Sequence, residues 1–450
     1  MKTVAIIGGG ITGLSLAEAI QRLCKDLKPI VLEAGDRPGG KIQTRQVDGF
    51  VVETGPHGFL DKEPSVSALI ERLGLSEQLV LANEESNNRY VLRQSQLRKL
   101  PLKPPAFLFS DVLPLADRLR VIFEPWVGPA SPGAEESVYD FAKRRLGEGV
   151  ANVLVDAFVT GIYAGDPKRL CVKSAFPKLS AFEQEFGSLI RAQKRLKKTS
   201  SGPGNLYSFK NGLGTLTDAI AKRVDVRCTQ SVKRLRKKGK VFTVETDSDS
   251  YQVDAVVLAT PAFEAARLSR PLGKRFADCL DEIPYAPVSV VIHGFSREFV
   301  RRPLDGFGFL VPGCESRPVL GSIWASTVFA DHAPDGSVMF RTLLGGRRHP
   351  EHAQGDDAQI AQRARLQLEE MCGLDPEAQP ILQEVIRWDK GIPQYELGHV
   401  ARVAAADEFE AAVPGLFFTG NAYRGIAMIQ CIAEAEQTAE KLGKYLDRIT

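Results

Sequence analysis

Three glycines and an acid supply the first recognisable chemistry in this sequence. Gly8-x-Gly10-x-x-Gly13 is followed twenty residues later by Glu33, the spacing with which a backbone turn cradles a pyrophosphate and a carboxylate accepts ribose hydroxyls. Glycine lets the main chain approach the phosphates closely, and the helix that follows offers free N–H groups and a favourable dipole. A carboxylate at Glu33 would repel a 2′-phosphate, which argues against the adenosine end of NADP. A second pair, Gly39-Gly40 with Lys41 behind it, begins six residues after Glu33. No Ser–His–Asp set, carboxylate pair or zinc-type cysteine spacing accompanies these glycines. His57 has no visible orienting partner and is expected to be a loop residue rather than a base. His349 and His352, three apart in a proline-containing loop, lack further ligands, so no metal is expected there. No residue is identified as a catalytic acid or base.

The elements that must hold this turn can be read around it. Val4 to Ile7 is an apolar run of strand length, Leu14, Leu16, Ala17 and Ile20 follow with helical spacing, and Ile30 to Leu32 is a second buried strand ending on Glu33. Phe50 to Glu53 reads as a strand entering the glycine-rich turn Gly55-Pro56-His57-Gly58, and Glu63 to Leu73 as a helix closed by Gly74. Residues 101–204 change character: prolines break the chain, and helices are expected around Val138 to Leu146 and Val150 to Phe158. Leu115, Leu119, Ile122, Phe123 and Trp126 share one helical face opposite Asp117, Arg118, Arg120 and Glu124, a stripe read first as core and second as a membrane face. Lys194, Arg195, Lys197 and Lys198 with the segment 199–204 read as a solvated, mobile exit from this lobe. Strands are expected at Val226 to Val232 and Val241 to Glu245, joined through the basic stretch Lys233 to Lys240, which turns at Gly239. Further on, apolar strands dominate from about 266 to 404, before a last buried strand and helix near the C-terminus.

Composition bounds the class. A chain of 450 residues is too long for one ordinary core, so two or three lobes are expected. A net charge of only +3 argues against a dedicated nucleic-acid binder. The seven cysteines are scattered and never spaced C-x-x-C, which fits reduced thiols in a cytosolic compartment. No signal peptide is expected, and no apolar run approaches the roughly 18 residues that cross a bilayer, so membrane contact would come from one side only.

Several motifs carry a family resemblance. The Leu32-Glu33-Ala34 to Gly39-Gly40-Lys41 segment resembles the LEA-x-x-R-x-GG-[RK] pattern of the flavin amine oxidase superfamily, with Lys41 where Arg is commoner. Asn88-Arg89-Tyr90, the segment Thr160 to Asp166 containing Gly161-Ile162-Tyr163-Ala164-Gly165, and Ile392-Pro393-Gln394-Tyr395-Glu396-Leu397-Gly398-His399 narrow it to the oxygen-dependent porphyrinogen oxidases. The resemblance implies an α/β and α+β architecture: a discontinuous Rossmann-like FAD-binding domain (1–82, 205–265 and 405–450), a mixed-sheet substrate domain (83–100 and 266–404), and an inserted helical lobe (101–204) that docks on a membrane. Non-covalent FAD is implied, with contacts from Gly8, Gly9, Gly10, Ile11, Thr12, Gly13, Glu33, Ala34, Gly39, Gly40, Lys41, Gly55, Pro56, His57, Gly58 and Val232, and from Ile426, Ala427 and Met428 at the flavin ring. Substrate contacts are implied at Arg89, facing a propionate, at Gly161, and at Leu310, Ile323 and Leu343.

The implied reaction is oxidation of protoporphyrinogen IX to protoporphyrin IX in haem biosynthesis, six electrons in three flavin cycles with oxygen as acceptor and peroxide released. Coproporphyrinogen III is the rival substrate. An amine or carotenoid oxidase, with Tyr423 in an aromatic pair at the flavin, and a membrane-docking flavin scaffold without activity are the further alternatives. Expected partners are the tetrapyrrole, molecular oxygen, a membrane surface, the next haem-pathway enzyme and a second copy of the chain, with no nucleic acid. The expected location is cytoplasmic, peripheral on the inner face of the cell membrane.

Overall fold

The computed structural model describes residues 1–101, 104–131, 133–196 and 204–448; the basic exit at 197–203 lies outside them. The expected opening unit forms as strand Lys2–Ile7, helix Ile11–Leu23 and strand Leu27–Leu32. A five-stranded parallel sheet grows around it in the order Val226–Arg227, Leu27–Leu32, Lys2–Ile7, Ala255–Leu258, Leu416–Phe418. Its strands are distant in sequence yet adjacent in space; the inner strands are apolar runs buried on both faces, while the edge strand Val226–Arg227 is half-buried. The C-terminal helix Met428–Arg448 lies along Ile11–Leu23, with Leu14 beside Cys431 and Ile432, and Leu16 beside Ala435 and Ala439.

A seven-stranded mixed sheet forms the second body, ordered Leu382–Pro393, Tyr285–Ser296, Ser337–Gly345, Val319–Trp324, Gly308–Leu310, Tyr90–Arg93, Gln96–Lys99. All its neighbours are antiparallel except Gly308–Leu310 against Tyr90–Arg93. Because side chains alternate along a strand, each face has its own core. Phe295, Phe309, Trp324, Phe340 and Leu344 pack under the helix Asp357–Cys372. Val288, Val290, Ile292 and Ile386 face the other way, onto Phe50 and Val52 of the strand that leads to the glycine-rich turn.

Two expectations are corrected here. The basic stretch after Val232 is not a connection: Val232–Lys238 is itself a strand, paired with Val241–Thr246 across a turn at Gly239, whose φ is +60°. The second correction concerns the 115–126 stripe. It is a short α-helix, Leu115–Arg120, continued as a 3-10 turn, Val121–Trp126, because Pro125 and its missing N–H do not extend an α-helix. Its polarity is inverted relative to a core helix. Phe123 and Trp126 are 59% and 74% exposed, whereas Glu124 is fully buried. The Glu124 carboxylate accepts from Arg145 Nη1 (3.1 Å), from the Leu189 and Ile190 N–H groups (2.9 and 3.2 Å) and from Ser188 Oγ. Buried charge is tolerated only when paired and hydrogen-bonded in this way.

Candidate functional site

The glycine turn has the geometry its spacing requires. Gly8 adopts φ +108°, which disfavours a side chain, and a Cβ on Gly13 would lie 2.0 Å from the Gly8 carbonyl oxygen. Gly13 is therefore what lets the helix close on the strand. A Cβ on Gly10 would meet nothing within 4 Å, so Gly10 faces open space at the start of a 13-residue helix that has no side-chain cap. The helix N-terminus is thus left free to receive an anion. Glu33 is fixed beside it: one carboxylate oxygen accepts from Gly9 N–H and the other from Gly35 N–H, both at 2.7 Å. The second glycine pair folds back on the first, with Gly39 N–H on the Gly9 carbonyl at 2.8 Å. Gln230 N–H donates to the Glu33 carbonyl at 2.8 Å, which brings the Val232 segment beside the acid; the Val232 carbonyl itself is taken by Arg267 Nη2 at 2.9 Å. Ile11 and Thr12 are buried at the helix start, while Ala34 is exposed beyond Glu33.

The Lys41 side chain crosses to the Leu382–Pro393 strand. Its ammonium donates to the Lys390 carbonyl at 3.0 Å and to that of Gly391, and it lies 5.8 Å from the Tyr285 ring centroid. Burial pushes its pKa down to about 8. The side chain thereby ties the nucleotide turn to the mixed sheet.

Under the turn Gly55-Pro56-His57-Gly58 lies a buried ionisable group that sequence reasoning missed. Glu53, 2% exposed, accepts from Leu213 N–H at 2.6 Å and from the Thr44 hydroxyl at 2.9 Å. Burial raises its carboxyl to about 7, against those hydrogen bonds and the charge of Arg341. The buried Arg341 guanidinium reaches from the mixed sheet to the Gly55 carbonyl, and burial lowers its pKa to about 10. His57 stands above them with its ring 5.3 Å from Phe329 and 6.0 Å from His332, and neither ring nitrogen has a protein partner. Burial, then the charges of Arg341 and His332, hold it neutral. A charged residue in each of two apolar strands, Phe50–Glu53 and Ser337–Gly345, was the signal available in the sequence.

Four of the five substrate-contact candidates, Gly161, Leu310, Ile323 and Leu343, come together at one side of the mixed sheet, and Arg89 precedes its neighbouring strand. Leu310 pairs with Gly321, which pairs with Leu343; two residues along, Gly308 pairs with Ile323 and Ile323 with Arg341. That register places Leu310, Ile323, Leu343 and Arg341 on one face. Leu310, Ile323 and Leu343 are each part-exposed, while their strand neighbours Phe309, Ser322, Trp324, Thr342 and Leu344 are buried. Gly161 closes over this face: a Cβ there would sit 3.1 Å from Leu310 Cδ2. Val91 pairs with Leu310, and Arg89 stands two residues before it, exposed, with its guanidinium 4.6 Å from the Phe307 ring centroid. No ion pair involves Arg89 among the described residues, whereas Arg93, Arg347 and Arg348 are matched to Glu315, Glu396 and Asp156.

The Gln394–His399 segment binds these parts to one another. Gln394 Nε2 donates to the Tyr163 carbonyl at 2.8 Å, and Cys171 N–H donates to the Tyr395 carbonyl at 2.8 Å, both in the helical lobe. On the other side the Tyr395 hydroxyl donates to the Asn421 carbonyl at 2.6 Å, and the His399 ring, stacked on Tyr395 at 4.1 Å, meets the Tyr423 carbonyl at 3.2 Å. Beyond Gly425, at φ +76°, Ile426 packs against the lobe and Ala427 N–H is capped by Gln430 Oε1 at 3.0 Å. Met428 opens the final helix, so its N–H and that of Ile429 lack intrahelical acceptors. Tyr423 is 2% exposed and packs on Phe418 in the core.

These features fit FAD: an uncapped helix start, a cradle that only glycine leaves open, a fixed acid, and a buried imidazole with both nitrogens unpartnered. Comparison with known proteins agrees. The model of the family described as "Flavin containing amine oxidoreductase" matches residues 11–442. The chain is 32% identical to protoporphyrinogen oxidase 1, chloroplastic, of Arabidopsis thaliana over 98% of its own length and 88% of the relative's. It is 28% identical to coproporphyrinogen III oxidase of Bacillus subtilis (strain 168), over 99% and 98% respectively. A solved structure from Exiguobacterium sp. 255-15, provisionally named a protoporphyrinogen oxidase, superposes with a TM-score of 0.85 at 25% identity, covering 98% of this chain and 99% of that one. The chain belongs to the flavin-containing amine oxidoreductases, in the branch of the porphyrinogen oxidases.

Proposed function

We propose that the protein oxidises protoporphyrinogen IX to protoporphyrin IX, using FAD held without a covalent bond and molecular oxygen as the acceptor. FAD supplies hydride acceptance and reoxidation by oxygen. Three rounds remove six hydrogens from the macrocycle and convert three O2 to three H2O2. The chain's own part is orientation. Leu310, Ile323 and Leu343 offer an apolar floor, Gly161 removes bulk where the ring must pass, and Arg89 presents a forked donor to a propionate.

The observation that supports the choice of substrate is Arg89, which has no ion pair among the described residues, whereas Arg93, Arg347 and Arg348 are matched to carboxylates. A guanidinium with no ion pair among the described residues suits the propionate edge of protoporphyrinogen. Coproporphyrinogen III has four propionates, and a second unpaired cation at the opposite rim would be needed to favour it. The test is to supply each porphyrinogen under air and follow porphyrin fluorescence and peroxide. Faster turnover of coproporphyrinogen III reverses the assignment, and no catalysed product from either overturns it.

The inverted 115–126 segment supports docking on a membrane surface. Its outward side chains Leu115, Leu119, Ile122, Phe123 and Trp126, with Phe109 nearby at 89% exposure, make an apolar patch on the lobe that carries Gly161. Clustered exposed apolar surface of this kind marks an interaction face. Among the described residues no helix is long and apolar enough to cross a bilayer, so the contact is peripheral. A cytoplasmic protein resting on the inner face of the cell membrane follows from this reading, and flotation with anionic vesicles tests it.

A further inference from the structure

Four of the chain's six histidines (His57, His293, His332 and His399) are buried. The other two share one 3-10 turn, Pro350–Ala353, and its N-cap residue, with an acid between them. The two rings stack at 5.1 Å and 22°, His349 Nδ1 lies 3.1 Å from Glu351 Oε1, and one ligand atom from each of His349, Glu351 and His352 falls within 4.8 Å of the others. Glu351 is the ligand that the sequence spacing alone did not supply.

The backbone under these side chains is fixed. His352 N–H donates to the His349 carbonyl at 3.1 Å, and Arg363 Nη1 donates to the carbonyls of His352 (3.1 Å) and Gln354 (2.7 Å). The Ser289 hydroxyl holds the Ala353 carbonyl at 2.9 Å from the adjoining strand. Three donors are therefore presented on one rigid turn, with the His349 and Glu351 side chains more than half exposed. Two imidazoles and one carboxylate, with a fourth position open to water, are a donor set that zinc accepts. Tetrahedral zinc at roughly 2.0–2.1 Å from each ligand brings ligand atoms to about 3.3 Å apart, which exposed side chains reach by small rotations.

We propose that His349, Glu351 and His352 form a surface site for a divalent transition metal, zinc being the ion best matched to it. Occupancy would brace more than the turn. The two residues before it hold the helical lobe: Arg347 N–H donates to the Ala164 carbonyl at 2.7 Å, and Arg348 pairs with Asp156 and donates to Thr160 Oγ1 at 2.9 Å, next to Gly161.

The test uses the tag-free, FAD-loaded, full-length protein, freed of metal by chelation and dialysed against zinc chloride alone. One equivalent of zinc is expected, with a higher melting temperature on binding. His349→Ala and His352→Ala are each expected to weaken binding at least tenfold, and Glu351→Gln by less, while all three melt like wild type without zinc. Cobalt substitution is expected to give visible bands without a thiolate charge-transfer band, since the cysteines are free and could otherwise bind metal. No stoichiometric zinc, or equal zinc affinity in the His349→Ala/His352→Ala double variant, overturns the proposal.

Discussion

Gly161 lies directly against Leu310: a methyl group built on its Cα would be 3.1 Å and 3.2 Å from the two Leu310 methyls. The helical lobe and the mixed sheet meet here through the Leu310 side chain, with none on the Gly161 side. Gly161→Ala must push Leu310 toward the open face it shares with Ile323 and Leu343. Expected is a several-fold fall in kcat/KM for the porphyrinogen with FAD content unchanged and a stability change below about 1 kcal/mol. Unaltered kinetics would place Leu310 outside the substrate cavity.

Arg341 is the buried cation beneath the His57 turn, and its partner charge, Glu53, comes from another strand. Arg341→Leu leaves Glu53 buried without that charge and frees the Gly55 carbonyl. Loss of about 1–3 kcal/mol is expected from the unsatisfied Gly55 carbonyl, read as a lower denaturation midpoint, together with weaker FAD retention. A variant as stable as wild type would show that the pair contributes nothing net.

Acid should unfold the protein early. Four buried histidines have lowered pKa values, His293 and His399 at about 4. Each is neutral when folded but takes a proton near 6.5 when unfolded, so stability is complete above 6.5 and is lost as pH falls toward 4. The slope is about 1.4 kcal/mol per pH unit for each fully titrating group. Glu53 acts in the opposite sense: its raised folded pKa makes its contribution full below about 4.5 and lost as pH rises through about 7. Denaturant titrations from pH 4 to 8 should therefore show a rise to about 6.5, and Glu53→Gln should steepen that rise between about 4.5 and 7, where the raised carboxyl opposes it. Stability independent of pH below 6.5 would contradict the assignment of neutral, buried imidazoles.

The apolar patch and its buried anchor can be separated by mutation. Phe123→Gln with Trp126→Gln should abolish vesicle binding while leaving folding and activity in detergent intact. Glu124→Ala should instead destabilise the lobe by about 3 kcal/mol, because Arg145 would stay buried beside only Glu183. Vesicle binding by the double variant equal to wild type would remove the patch from the account.

The nucleotide turn was legible because its chemistry is local: the glycines, helix and Glu33 lie within one short unit, and their spacing dictates their geometry. The strands bearing Leu310, Ile323 and Leu343 were legible as apolar runs, but the role of those three residues only through motif resemblance. Nothing in their alternation says which of two faces stays open, since that depends on register with strands far away in sequence. The 115–126 stripe misled for a related reason. Periodicity reports that two faces differ, and it was the distant Arg145 and Ser188 that turned the acidic side of Glu124 inward. Arg341 and Glu53 were missed because each looks like an isolated charge in its own strand. Lys41 shows the same limit, as its acceptors lie on the 382–393 strand.

The most direct test compares charge recognition at Arg89 on two substrates. Protoporphyrinogen IX and its dimethyl ester differ only in the carboxylates that Arg89 is proposed to bind. Arg89→Ala should raise KM for the diacid by roughly 10- to 100-fold, with kcat nearly unchanged, yet leave the ester's KM equal in both proteins. An equal KM for the diacid in wild type and variant would contradict the account.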